Sequence, residues 1–210
     1  MNPPRILDLF CGAGGAAMGY SRAGFDVVGV DHVRQRRYPF RFVRADALEA
    51  VAALGDLFDA VHASPPCQAY SRARNIERRD YPDLVAATRA ALEATGRPYV
   101  IENVPGSPLL DYVVLEGQMF DDLRTQRPRW FETNWPLEVP FLRAPRMPHA
   151  KMGRPPRAHE WITVVGNVAL ADRARAAMGI EWMSRAELAQ AIPPAYTEYI
   201  GRQLAAVLER

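Results

Sequence analysis

The sequence predicts a doubly wound α/β fold on a mostly parallel sheet. Three observations carry this. Short apolar runs alternate with stretches of helical spacing up to Val104. The stretch "YPDLVAATRAALEATG" reads as a complete helix, with a proline near its start, apolar positions at helical spacing and a closing glycine. After Val104 the alternation stops and two strand-like runs follow each other with no long helix between them. Strands alternating with helices imply right-handed crossovers and a parallel sheet.

The elements follow in order. "RILDLF" is a first strand, then glycines, then the helical "AAMGYSRAG". "FDVVGVD" is a second strand and "RFVRAD" a third, followed by the helical "ALEAVAALG". "LFDAVHAS" is the fourth strand, and the helix quoted above leads to a fifth, "PYVIENV". "YVVLEGQMF" and "RWFETN" look like a strand pair closing the sheet. The chain ends in the helical stretches "ADRARAAMGI", "SRAELAQAI" and "PAYTEYIGRQLAAVLER". In such sheets ligands bind beyond the carboxyl ends of the strands.

At 210 residues the chain is long enough for one domain with a full core. Its 49% hydrophobic and 24% charged residues are ordinary for a globular protein. No apolar run approaches the roughly 20 residues of a membrane span. The start "MNPPRILDLF" lacks the pattern of a signal peptide, so a cytoplasmic protein is expected, with its two cysteines reduced and unpaired. The four histidines have no metal-ligand spacing, and no metal is expected. The net charge is only +2, but its distribution is uneven. From Phe141 to His159 there are five Arg/Lys, no Asp/Glu and four prolines. This stretch reads either as an irregular phosphate-contacting surface or as a solvated loop in an arginine-rich chain.

"DLFCGAGG" (Asp8 to Gly15) ends the first strand and opens a helix. Its glycines let the backbone approach a ligand with no Cβ in the way. Asp31 ends the second strand and can accept hydrogen bonds from ribose hydroxyls; Asp46 ends the third and can reach an adenine amino group. Each aspartate alone could be a strand-end cap. Three carboxylates at one sheet edge beside a glycine turn fit an adenosine ligand better, and the loop has no phosphate-binding lysine. Glu102 and Asn103 follow the fifth strand, and "VPGSP" after them starts no helix, so Glu102 suits a carboxylate that hydrogen-bonds or protonates a bound group. In "SPPCQAYS" two prolines stop the fourth strand and place Cys67 in a stiff loop just beyond it.

"DLFCGAGG", "SPPCQAYS", "ENV" and the Arg-x-Arg of "RPRWF", in that order, resemble the DNA cytosine-5 methyltransferases. The resemblance spans Ile6 to Ile200 and is closest to compact, phage-type members. It implies a Rossmann-like methyltransferase sheet with a minimal basic target-recognition insertion. It also implies methylation of cytosine carbon 5 in double-stranded DNA, with S-adenosylmethionine as cofactor and the target base flipped out of the duplex. Cys67 is then the nucleophile that adds to ring carbon 6, and Glu102 contacts ring nitrogen 3 and the amino group. Arg129 and Arg127 hold the carbonyl oxygen or a nearby phosphate. Phe10 packs on the adenine, Asp31 holds the ribose, Asp46 the adenine, and Pro66 lies near the cofactor. Asp8, Gly12, Gly14, Gly15, His32, Ala47 and Gln190 complete the cofactor-contacting set, with Cys11 as a small packing thiol in the loop. Gln68 and Ser71 beside the nucleophile, and Arg143, Arg146, Lys151, Arg154 and Arg157 in the basic stretch, are the expected DNA contacts.

The sequence departs from the family's pattern in three places. Thr125 stands where the family's Gln-x-Arg-x-Arg has glutamine, and Gln126 comes one place late. Gln190, in "AQAIPP", replaces the asparagine that would touch the cofactor's amino-acid end. The recognition region is only Thr133 to Ile162. The expected organisation is therefore a cofactor-binding catalytic part over 1–132, a short recognition loop over 133–162 and a helical part over 163–210 that completes the catalytic domain. A monomer is expected. Two alternatives stay open: an RNA cytosine-5 methyltransferase, and a catalytically inactive DNA-binding partner subunit.

Overall fold

The computed structural model of the chain describes residues 2–66, 83–141, 147–150, 154–166, 168 and 170–209. Its strands are β1 (Arg5–Leu9), β2 (Asp26–Asp31), β3 (Arg41–Arg44), β4 (Ala60–Ala63), β5 (Tyr99–Asn103), β6 (Val113–Leu115) and β7 (Arg129–Thr133). They form one seven-stranded sheet in the order β3-β2-β1-β4-β5-β7-β6. The first five strands run parallel, and β7 is antiparallel to both its neighbours. Each run quoted above as a strand contains one of these. The expected closing pair is β6 and β7, and the later strand takes the inner place beside β5. Phe131 and Glu132 of β7 are buried there, whereas β6 is only three residues long.

Both faces of the central strands are covered, which is why their sequences read as nearly continuous apolar runs. Alternate residues of β1 go to opposite faces: Ile6 packs with α1 (Gly15–Arg22) and the C-terminal helix α6 (Pro194–Leu208). Leu7 and Leu9 pack with α2 (Ala47–Leu54) and α3 (Val85–Ala94). The α1–α6 contact is close because glycines make it so. A Cβ on Gly19 would lie 2.2 Å from the Pro194 carbonyl oxygen, and one on Gly201 would lie 2.7 Å from the Ala23 Cβ.

The C-terminal part adds α4 (Ala171–Met178) and α5 (Arg185–Gln190). Gly179, at φ 66°, ends α4, and Ser184 and Glu187 form a reciprocal cap at the start of α5. These helices bury Ala174, Ala177, Met178 and Leu188 with Ile162, Val164 and Val168, in a small cluster that also includes Ala13 of the glycine turn. The described ends of the basic insertion are pinned rather than loose. Ala150 N–H donates to the Trp161 carbonyl at 2.8 Å, and Ile162 N–H to the Arg124 carbonyl at 3.0 Å. None of the described helices is long and apolar enough to cross a membrane.

Candidate active site

The glycine turn after β1 is held in a shape that few residue types allow. Phe10, Gly12 and Gly14 all have positive φ, at 55°, 49° and 84°. For a bulky residue such as Phe10 this is a strained conformation that the surroundings must enforce. They do so from three sides. Gly12 N–H donates to Asp31 Oδ2 at 3.1 Å, and the Trp182 indole N–H donates to the Ala13 carbonyl at 2.8 Å. Gly14 lies against Tyr38 and Pro39, and a Cβ on Gly15 would come within 2.4 Å of the Ile192 carbonyl oxygen. At Gly12 a Cβ would meet nothing within 4 Å, so the turn is open on that side.

The aspartates divide into three situations. Asp31, nearly buried at the end of β2, uses both oxygens on backbone N–H groups, Oδ2 on Gly12 and Oδ1 on Val33 at 2.9 Å. Asp46 is exposed and caps α2, its Oδ1 accepting from Leu48 and Glu49 N–H at 2.8 and 3.1 Å. Asp46 thus caps a helix, two residues past the end of β3, rather than the strand end. Asp8 is different. It is 1% exposed, the Tyr38 hydroxyl donates to its Oδ2 at 3.4 Å, and its Oδ1 has no partner among the described residues. Burial, together with the charges of Asp31 and Glu102, pushes its carboxyl up to about 8 despite the bond from Tyr38. An unsatisfied buried carboxylate next to an open glycine turn fits a cationic ligand group, and Asp31 behind it fits hydroxyl donors. The residues present therefore suit S-adenosylmethionine, whose sulfonium and ammonium are cationic.

Across the same edge, β5 presents Glu102 and Asn103 to opposite faces. Asn103 Nδ2 donates to the Pro65 carbonyl at 2.9 Å, which fixes the chain just before Cys67. Glu102 is 5% exposed and pairs with Arg129 of β7, with Nε 2.9 Å from Oε1. Burial raises its carboxyl above the usual range, against the opposing pull of Arg129, the Ser64 hydroxyl and Arg127. Arg127 has a different task from the one expected of it. Its Nε donates to the Ala191 carbonyl and its Nη2 to the Ala189 carbonyl, both at 2.7 Å, and its Nη1 bonds the Val164 carbonyl. It is 6% exposed and ties the end of α5 to the sheet. The guanidinium aimed at Glu102 is that of Arg129.

The remaining expectations fall as follows. Half-buried Phe10 and Pro66 lie at the sheet edge, Ala47 is buried at the start of α2, and His32 is exposed with Nδ1 3.4 Å from Asp31 Oδ1. Cys11 is buried, which holds its thiol far above the usual range and suits packing rather than attack. Gln190 is exposed at the last position of α5, two residues before Ile192, which touches Gly15. Cys67, Gln68, Ser71, Arg143, Arg146 and Lys151 lie outside the described residues. Arg154 is spent elsewhere: its Nη2 bonds Glu160 Oε1 at 2.6 Å. That partner lies one residue beyond the acid-free stretch that ends at His159. Arg157 is exposed. Sequence reasoning missed Tyr38, Tyr20, His62 and Ser64; the available signal was a histidine inside the apolar strand "AVHA", two residues before Ser64.

Residues 4–107 match the family model described as C-5 cytosine-specific DNA methylase. The Type II methyltransferase M.XorII of Xanthomonas oryzae pv. oryzae is 31% identical over 126 residues, which is 50% of this chain and 29% of that protein. M.FnuDI of Fusobacterium nucleatum is 27% identical over 79 residues, or 34% of this chain and 23% of its own length. The chain thus spans less than a third of the length of these curated relatives. Among solved structures, a putative DNA modification methyltransferase encoded within an Escherichia coli prophage superposes with TM-score 0.67 at 15% identity, covering 99% of this chain and 100% of that one. At that identity the likeness speaks for the fold, a methyltransferase sheet. With the matched half carrying the glycine turn, the "PPC" loop and Glu102, the chain belongs to the C-5 cytosine-specific DNA methylase family.

Proposed function

We propose that the protein methylates carbon 5 of cytosine in double-stranded DNA through a covalent adduct on Cys67. The observation that carries this is the buried Glu102–Arg129 pair at the sheet edge, beside the chain after β4 that Asn103 holds at Pro65 and on the far side of it from the glycine turn. Carbon 5 of cytosine is a weak nucleophile. Addition of the Cys67 thiolate at carbon 6 breaks the aromatic system and makes carbon 5 enamine-like. As that bond forms, ring nitrogen 3 takes a proton from the Glu102 carboxyl, which then stands as a carboxylate beside Arg129. S-adenosylmethionine, when bound, would supply the methyl group for carbon 5 as an activated sulfonium. A base then removes the carbon 5 proton, the electron pair restores the ring, nitrogen 3 returns its proton to Glu102, and the Cys67 sulfur leaves. Asp8 would hold the cofactor's cationic end, Asp31 its ribose and Phe10 its adenine. The target base reaches this edge only when flipped out of the stack.

The test is transfer of a labelled methyl group to duplex DNA, with single-stranded DNA and tRNA as parallel substrates. Cys67→Ser should abolish transfer, keep cofactor binding, and lose the trapped adduct with DNA containing 5-fluorocytosine. Transfer to tRNA alone would move the substrate to RNA. A Cys67→Ser protein with normal turnover would remove the mechanism.

A further inference from the structure

Resting on the reading of Glu102 above, we propose that Tyr20, His62 and Ser64 form a directional hydrogen-bond chain that orients the Glu102 carboxyl and confines its proton to one oxygen. The chain crosses the core from α1 to the site. The Tyr20 hydroxyl lies 2.9 Å from His62 Nδ1, and His62 Nε2 lies 2.9 Å from Ser64 Oγ. Ser64 hydrogen-bonds Glu102. Strand pairing explains the juxtaposition: Ala63 of β4 is in register with Ile101 of β5, so the next residues along, Ser64 and Glu102, are neighbours. Tyr20 and His62 are both 0% exposed, so every proton in the chain must find an acceptor within the protein.

That requirement sets the direction. Tyr20's hydroxyl has no partner other than His62 among the described residues, so its hydrogen points at Nδ1. A neutral imidazole has one donor and one acceptor nitrogen. Burial holds His62 neutral, pushing it down to about 3. Nδ1 is therefore the acceptor and Nε2–H the donor, and it donates to Ser64 Oγ. The Ser64 hydrogen is left to point at Glu102. Reversing every bond would leave the Tyr20 hydrogen buried without an acceptor among the described residues. The Glu102 oxygen that accepts from Ser64 thus never carries the proton, which resides on the other oxygen whenever Glu102 is neutral. Tyr20, His62 and Ser64 are positioning residues: they touch no substrate and act through Glu102.

Other groups also face Glu102: Arg129 from β7, Arg127 from the segment before it, Asp8 from β1 and Tyr196 from α6. Asp8 titrates near pH 8, so the informative readout is how far the alkaline limb of activity moves on substitution. Ser64's bond favours the ionised carboxylate. Removing it in Ser64→Ala should raise Glu102 further and move the limb to higher pH. The same variant should lower kcat about 10- to 100-fold with little change in KM, as losing a group that orients a functional residue does. Ser64→Thr keeps the hydroxyl and should restore both. His62→Gln should move the limb in the same direction, and the Ser64→Ala, His62→Gln double variant should be no worse than the more impaired single one. Unchanged limb and kcat in Ser64→Ala, or additive losses in the double variant, would overturn the chain. Nitrogen NMR of labelled histidine in the unsubstituted protein reads its direction without activity: Nε2–H in His62 is expected, and Nδ1–H overturns the proposal. An active Glu102→Gln protein would sink the underlying reading instead, whatever the tautomer.

Discussion

At the scale of single residues, the site holds two buried carboxyls, both raised, for which the proposed reaction has different uses. Glu102 is raised by burial and restrained by its neighbours, the condition of a group that lends a proton and takes it back. Glu102→Gln keeps the shape and a hydrogen-bond donor but cannot exchange the proton. Its rate of transfer should fall roughly 10²- to 10⁴-fold, the usual span for a positioned acid–base group, while DNA affinity changes little. A variant with a normal single-turnover rate would place the acid elsewhere. Asp8 is pushed up to about 8, so at neutral pH the unliganded protein holds it mostly protonated. A cationic ligand needs the carboxylate, so binding must release a proton. Cofactor affinity should therefore weaken as pH falls below about 8, approaching tenfold per pH unit, as linkage requires. Calorimetry in buffers of different ionisation heat should detect the released proton. Asp8→Asn should bind more weakly at pH 8 and show a flat profile; a sloped profile in Asp8→Asn would mean that another group titrates. The same shift has a stability sign. The folded state binds more protons than the unfolded chain between about pH 4 and 8 at this residue, so its effect is to lower stability as pH rises through that window.

At the scale of elements, Arg127 separates a structural role from a catalytic one. Its guanidinium holds three carbonyls, two at the end of α5 and one at Val164. Arg127→Leu should leave these acceptors buried and unpaired and cost roughly 3 kcal/mol or more, at about 1–3 kcal/mol per unsatisfied group. Thermal unfolding reads this directly. If melting is unchanged while transfer is lost, Arg127 acts on the substrate as first expected. The case also marks what the sequence could disclose. The strands and helices α1 to α6 were legible, because parallel strands covered on both faces read as apolar runs and the helices carry caps or glycines at their ends. Asp31, Glu102 and the glycine turn were legible as well, since each lies at a strand end whose edge the alternation identifies. Arg127 and Arg129 were not separable, because Arg-x-Arg discloses neither the left-handed backbone at Arg127 (φ 37°) nor the position of α5, which together decide which one is consumed. The chain from Tyr20 through His62 to Ser64 was illegible for a similar reason: it needs the register of β4 against β5 and the seating of α1. Cys67 was singled out from sequence alone, by the prolines before it and the glutamine after it.

At the scale of the whole molecule, the proposed activity raises the question of how the stretch from Thr133 to Ile162 would meet DNA. The family resemblance leaves only Thr133 to Ile162 for recognition, and part of that length is used to anchor itself through Ala150, Trp161 and Ile162, all buried. Few side chains remain to reach a groove, so the methylated site should be short or degenerate, on the order of two to four base pairs. Phosphate contacts position a duplex without reading it. The structure separates the two described cations of this stretch, Arg154 and Arg157, into unequal candidates. Arg154 already bonds Glu160 and the Pro155 carbonyl, so it has little left for a phosphate. Arg157 is exposed, and Arg143, Arg146 and Lys151 lie outside the described residues. Neutralising Arg143, Arg146, Lys151 and Arg157 one at a time should weaken binding to every sequence about equally. Each substitution that removes a real phosphate contact should reduce the slope of log affinity against log salt by roughly 0.9, the value for one released counterion on duplex DNA. Arg154→Ala should leave the slope unchanged and instead loosen the segment around Glu160, seen as faster amide exchange there. If none of the four single substitutions changes the slope, the arginines of this stretch are solvated and the duplex is held by another surface. If Arg154→Ala changes it as much as the others, the Arg154–Glu160 pair opens on binding.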